Sequence, residues 1–141
     1  MIIMSVDLGD ARTGIAVSDI NEGFAFPRTV INEWNKERLI EKILIEAKES
    51  GAGKIVVGLP KNMDGSEGFR ADACKELGEK LKNLTEIPIK FWDERLTTVS
   101  AHKILSDNNV RGKKRKAVVD AVAADIILQD YIDSRKFKKG I

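Results

Sequence analysis

Up to Ile31 the apolar positions come in short runs broken by turn residues; beyond it they recur at helical spacing. Residues 2–7 (Ile2-Ile3-Met4-Ser5-Val6-Asp7) predict a buried strand, Gly9-Asp10 a turn, and Thr13–Ser18 a second strand. Asn21-Glu22-Gly23 is a turn signal, and Phe24–Ile31 predicts a third strand that Pro27 places at an edge or a bulge. The short connections make these three an antiparallel meander. Leu39, Ile40, Ile43, Leu44 and Ala47 then mark one face of a helix, closed by Gly51 and Gly53. Lys54–Gly58 predicts a short buried strand, and residues 59–68 a polar, glycine-rich loop. A helix is expected from Phe69 to Leu84, with Ala73, Leu77, Leu81 and Leu84 on one face, and Ile87–Trp92 a fifth strand. Thr97 or Thr98 is suited to cap a helix to about Leu105. Residues 106–115 read as a loop, and Lys116–Ser134 as the last helix.

The order β-β-β-α-β-α-β-α-α predicts an α/β domain spanning residues 1–141. A mixed five-stranded sheet, an antiparallel meander joined to right-handed parallel crossovers, would carry helices on both faces. A chain of 141 residues fits one domain, and a hydrophobic content of 43% supplies a core. No apolar run approaches the roughly 20 residues that span a bilayer. The start of the chain has neither a basic leader nor a cleavage-site pattern, so it reads as a strand rather than a signal peptide. Cys74 is the single cysteine and His102 the single histidine. The first excludes an intramolecular disulfide and fits a reducing cytosol; together they argue against zinc. A cytoplasmic protein with no membrane partner is expected.

Charge adds little as a total, +2, and more as a distribution. Arg111-Gly-Lys-Lys-Arg-Lys116 and Arg135-Lys-Phe-Lys-Lys139 are basic blocks. Each is either a solvated surface or a holder of a polyanion.

Three acids fall on or beside elements expected to be buried. Asp7 ends the first apolar run, Glu94 follows the fifth strand, and Asp120 interrupts Ala117-Val-Val-Asp-Ala-Val-Ala-Ala124. Buried carboxylates are costly unless paired, hydrogen-bonded or bound to metal. If the three elements converge, the cluster needs cations, and its oxygen ligands suit Mg²⁺ or Mn²⁺. Taken singly, Asp7 reads as a turn cap, Glu94 as a surface partner of Arg95, and Asp120 as a first-turn acid. Asp93 competes with Glu94, because adjacent side chains on an extended segment face opposite sides. Asp125, five positions beyond Asp120, is expected to be a helix-surface acid or a supporting partner of the site. Arg12 in the first turn is placed for bidentate phosphate contact. The loop after the fourth strand offers glycine amides with Lys61, Asn62, Ser66 and Arg70, a phosphate cradle without the ending of a P-loop.

Four segments then carry a resemblance. Asp7-Leu-Gly…Arg12-Thr-Gly-Ile-Ala-Val-Ser-Asp19, Val57-Gly-Leu-Pro-Lys-Asn-Met-Asp-Gly-Ser66, Asp93-Glu-Arg-Leu-Thr-Thr98 and Val119-Asp120…Ala123-Ala…Ile127-Leu-Gln…Tyr131 resemble the YqgF/RuvX family over nearly the whole chain. That family is described both as Holliday junction resolvases and as the nuclease maturing the 5′ end of pre-16S rRNA. The resemblance implies an RNase H-like fold and a metal-dependent nuclease site of Asp7, Glu94 and Asp120, with Mg²⁺ or Mn²⁺ as cofactor. One departure is Ala11, where a basic residue is common beside Arg12; it weakens phosphate contact at that turn and leaves the metal site intact.

The reading is two-metal phosphodiester hydrolysis, with Arg12, Lys61, Asn62, Arg70, Arg95, Lys113, Lys114, Arg115 and Lys116 holding the nucleic acid. The substrate is an rRNA precursor, within a ribosomal particle, or alternatively branched DNA, and the protein a monomer or weak homodimer. An ATPase of the actin and sugar-kinase type would need a second domain. A non-catalytic assembly factor would bind a polyanion more easily without three carboxylates.

Overall fold

Alternation of apolar and small residues makes the first two strands buried on both faces, and the sheet grows outward from them. The structure, a computed structural model, describes residues 1–60, 68–93 and 112–138, with side chains in the last segment described over residues 122–135. Its elements are β1 (Ile2–Asp7), β2 (Arg12–Ser18), β3 (Ala25–Asn32), α1 (Lys36–Ser50), β4 (Ala52–Leu59), α2 (Phe69–Leu84), β5 (Ile89–Asp93) and α3 (Gly112–Lys138). The sheet order is β3-β2-β1-β4-β5. β1 runs antiparallel to β2, β2 antiparallel to β3, and β1–β4 and β4–β5 are parallel pairs. The meander and the parallel crossovers are both as the sequence predicts.

Pro27 satisfies both of its expected alternatives. β3 is an edge strand, and its register with β2 steps from Ile15↔Thr29 to Ala16↔Pro27, leaving Arg28 as the extra residue of a bulge. α1 begins where Asn35 caps it, the Arg38 amide donating to Asn35 Oδ1 at 3.0 Å. It ends at Gly51, whose φ of 75° is the left-handed conformation that favours glycine. Gly53 lies inside β4 and ends no helix.

Two further expectations are corrected. Arg12 is the first residue of β2, not a turn residue. Residues 112–116 of the basic block form the first turn of α3 and not a loop. Lysine and arginine are good helix formers, so charge alone did not mark an irregular segment. The expected helix at residues 97–105, most of the loop at 59–68, and Lys61, Asn62, Glu94 and Arg95 lie outside the described residues.

Two cores sandwich the sheet. On one face Met4, Val6, Ile15, Ile55 and Val57 pack with Leu39, Ile40 and Ile43 of α1 and with Ala71, Cys74, Leu77 and Leu81 of α2. On the other, Ile3, Ala16 and Val56 pack with Ala124, Ile127, Leu128, Tyr131 and Ile132 of α3. Among the described helices α3 alone covers that second face.

Candidate functional site

β1 is the central strand, and its side chains divide by parity. Met4 and Val6 join the α1/α2 core, whereas Ile3 joins the α3 core. Ser5 also faces α3: its hydroxyl is fully buried and donates to the Ala124 carbonyl at 2.7 Å. Asp7, two residues on, shares this parity and ends the strand opposite Gly14 of β2.

The Ser5–Ala124 bond also sets the register of α3. From Ala124 the helix runs toward the other end of the sheet. Gln129 accepts from the Ala25 amide at 2.9 Å, Tyr131 accepts from Lys54 at 3.0 Å, and Arg135 pairs with Glu22. α3 therefore descends as β1 ascends. Two residues up β1, from Ser5 to Asp7, is a rise of about 6.6 Å. One turn back along α3, from Ala124 to Asp120, is about 6 Å. The backbones bearing Asp7 and Asp120 thus stand level.

β5 contributes through Trp92, which turns to α3 and meets Tyr131 edge to face, with ring centroids 5.7 Å apart. Phe91 turns to the other core. Asp93, pairing with Leu59, has the parity of Phe91 and points away from α3. Of the two adjacent acids, Asp93 thus lies on the α1/α2 side of the strand, the side of Phe91.

Two cations flank the end of β1. Arg12, half-buried, has the parity of Gly14 and Ala16 and so belongs to the α3 side with Asp7. Arg70, exposed at the start of α2, donates to the Leu8 carbonyl at 3.4 Å from the opposite side. Lys113, Lys114, Arg115 and Lys116 occupy the first turns of α3, one to two turns before Asp120. Asp19, by contrast, serves the far end of the sheet. Its carboxylate accepts from the Asn21, Gly23 and Phe24 amides, the Phe24 bond above all holding its pKa below the usual carboxylate value.

Asp125 is not the helix-surface acid expected. It is half-buried, its Oδ1 is buried with no hydrogen-bond partner among the described residues, and burial pushes its pKa up to about 6. The missed signal was spacing: Leu128 and Ile132, three and seven positions on, both lie in the core. Ser5 was missed as well, although it is the one hydroxyl in the first apolar run.

Among the described residues no three His, Cys, Asp or Glu side chains form a metal-binding group. The expected set also needs Glu94 and the Asp120 side chain, which lie outside them. Carboxylate oxygens, the only donors in the expected set, suit a hard divalent cation rather than a soft one.

The chain is similar to known proteins over nearly its whole length. The family model described as "RuvX: Holliday junction resolvase" matches residues 1–134. Relatives named "Putative pre-16S rRNA nuclease" include one from Protochlamydia amoebophila, 44% identical over 140 residues, covering 94% of this chain and 93% of its own. Another, from Thermoanaerobacter pseudethanolicus, is 42% identical over 139 residues, covering 98% and 100%. Among solved structures, T. thermophilus RuvC in complex with a Holliday junction substrate superposes with a TM-score of 0.63 at 12% identity, covering 97% of this chain and 96% of that one. The Fowlpox virus resolvase bound to Holliday junction DNA gives 0.61 at 11%, covering 96% and 99%. These two likenesses identify the fold as RNase H-like. No helix among the described residues is long and apolar enough to cross a membrane.

Proposed function

The chain belongs to the RuvX family of Holliday junction resolvases, and on that premise we propose that it is a divalent-metal nuclease acting on the 5′ end of pre-16S rRNA. The observation that carries the site is the Ser5–Ala124 register, which levels the Asp7 strand end with the α3 turn bearing Asp120. Asp7, Asp120 and Glu94 would hold Mg²⁺ or Mn²⁺. When bound, such ions activate water and stabilise the leaving oxygen of a phosphodiester.

The chain's own residues do the rest. β1 is the central strand, paired to β2 and β4, so Asp7 stands at the end of a strand held on both sides. Arg12, on the same face, is placed to hold a phosphate beside it, with Arg70 on the other side of the edge and the basic turn of α3 beyond Asp120. Lys61, Asn62 and Arg95 complete the proposed nucleic-acid contacts. A single compact domain suffices for RNA cleavage, in the cytoplasm and on a ribosomal particle.

The test is cleavage by the pure protein with Mn²⁺ of single-stranded RNA carrying the precursor 5′ end, single-stranded DNA and a four-way junction. RNA is expected to be cut fastest, and EDTA to stop the reaction. Asp7→Asn should lower cleavage by at least about a hundredfold with the melting temperature unchanged or raised, since carboxylate repulsion is relieved. Cleavage by Asp7→Asn at the parent rate would exclude this site. Branched DNA is the second reading, carried by the family's own description. Faster cutting of the junction than of RNA, with dimerisation, would select it.

A further inference from the structure

A second feature occupies the same sheet edge on the α1/α2 side. A cavity of about 340 Å³ opens there. Its wall begins at Leu8 and Gly9, which directly follow Asp7, and continues through Trp34, Lys36 and Arg70. The Trp34 side chain is 77% exposed. The loop that bears it is nonetheless pinned. The Glu33 amide donates to the Ala11 carbonyl at 3.0 Å, and the Glu33 carboxylate accepts from the Asn35 amide at 3.2 Å and from Lys42 at 2.8 Å. The peptides on both sides of Trp34 are therefore held while the indole stays in water. Single exposed apolar side chains are ordinary. This one differs in standing at the mouth of a polar-rimmed cavity, with Lys36 and Arg70 beside it. Of the two acids on the rim, Glu33 is already engaged by Lys42, and Asp10 sits at the turn.

We propose that Trp34 and the cavity from Leu8 to Arg70 hold an unpaired nucleobase of the substrate strand, next to the phosphate that is cut. This rests on the nuclease reading above. The indole supplies a stacking face that any base fits, and Lys36 and Arg70 supply charge for the flanking phosphates. The volume lies near the lower end of small-ligand pockets, about 300–1,000 Å³, and suits one nucleotide. A duplex offers no free base face, so the site selects single-stranded nucleic acid.

The experiment titrates the full chain, in EDTA to prevent cleavage, with a labelled oligouridylate of about ten nucleotides and with a blunt RNA duplex. Tryptophan emission and label anisotropy are read together. The oligouridylate is expected to quench the emission. Trp34→Ala should abolish most of that quenching and weaken binding by roughly 5- to 150-fold, whereas Trp34→Phe keeps most of the affinity. Duplex binding should be the same in all three proteins. Because Trp34 is exposed, the melting temperature of Trp34→Ala should match the parent's, which separates lost stacking from lost fold. Equal affinity of parent and Trp34→Ala for the oligomer, an equal loss on the duplex, or no oligomer binding by the parent would each overturn the proposal. Asp7→Asn, titrated in the same way and then assayed separately for cleavage with Mn²⁺, distinguishes the two readings. If it still cleaves with Mn²⁺, the nuclease site is wrong, while the Trp34 result stands by itself.

Discussion

Asp125 shows how one residue can couple stability to pH. Burial raises its pKa from 3.8 to about 6, and no donor among the described residues stabilises its buried oxygen. The folded chain thus keeps a proton that the unfolded chain releases between about pH 4 and about pH 6. Stability attributable to this group falls as pH rises through that window and stays lower above it. Allowing for the solvent that still reaches the carboxylate, the loss is about 1 kcal/mol. Asp125→Asn should melt with the parent near pH 4 and above it at pH 7, in EDTA; equal melting at both would show an uncosted carboxylate. Ser5→Ala tests the neighbouring bond. It should cost about 1 kcal/mol in urea unfolding. It should also lower cleavage more than that loss of stability explains, because Asp120 would lose its register to Asp7.

At the scale of elements, what could be read from the sequence depended on period and punctuation. The meander was legible because short apolar runs alternate with Gly-Asp and Asn-Glu-Gly turns, and α1 because an apolar stripe ends at Gly51. The beginning of α3 was not, because a run of lysine and arginine fits a loop and a helix equally. The side on which Asp93 lies needed the register of β5, which only pairing with β4 defines. Asp7 was legible as an acid at the end of an apolar strand, the position the proposed site requires; the helix across from it was legible as a helix but not in its register. Packing between α2 and β5 was likewise hidden. A Cβ on Gly78 would lie 2.4 Å from Cζ of Phe91, so this mid-helix glycine is there to admit the ring. Gly78→Ala should cost about 1–3 kcal/mol by overpacking. That outweighs the gain of up to about 1 kcal/mol that alanine brings to a helix interior. Chemical denaturation measures the balance, and Phe91→Leu in the same chain should restore most of the loss.

For the whole molecule, a net charge of +2 hides a polarity along α3. Lys113, Lys114, Arg115 and Lys116 stand on the side of the sheet edge where Asp7 lies, beyond Asp120. Changing all four to alanine should weaken binding of unrelated RNA sequences alike. It should also flatten the salt dependence by about 0.7 in log–log slope for each single-strand phosphate that the variant no longer neutralises. An unchanged slope would leave the block a solvated helix end.

The bond from Ser5 to Ala124 spans 119 residues of chain. During synthesis the strand bearing Asp7 emerges early, and the helix bearing Asp120 among the last segments, at roughly 5–20 residues per second. Until that helix docks, Ile3, Ala16 and Val56 face water or a chaperone, and the proposed carboxylate cluster does not exist. On the proposed site, a nascent nuclease built this way stays inert toward the ribosomal RNA that surrounds it until that helix has docked.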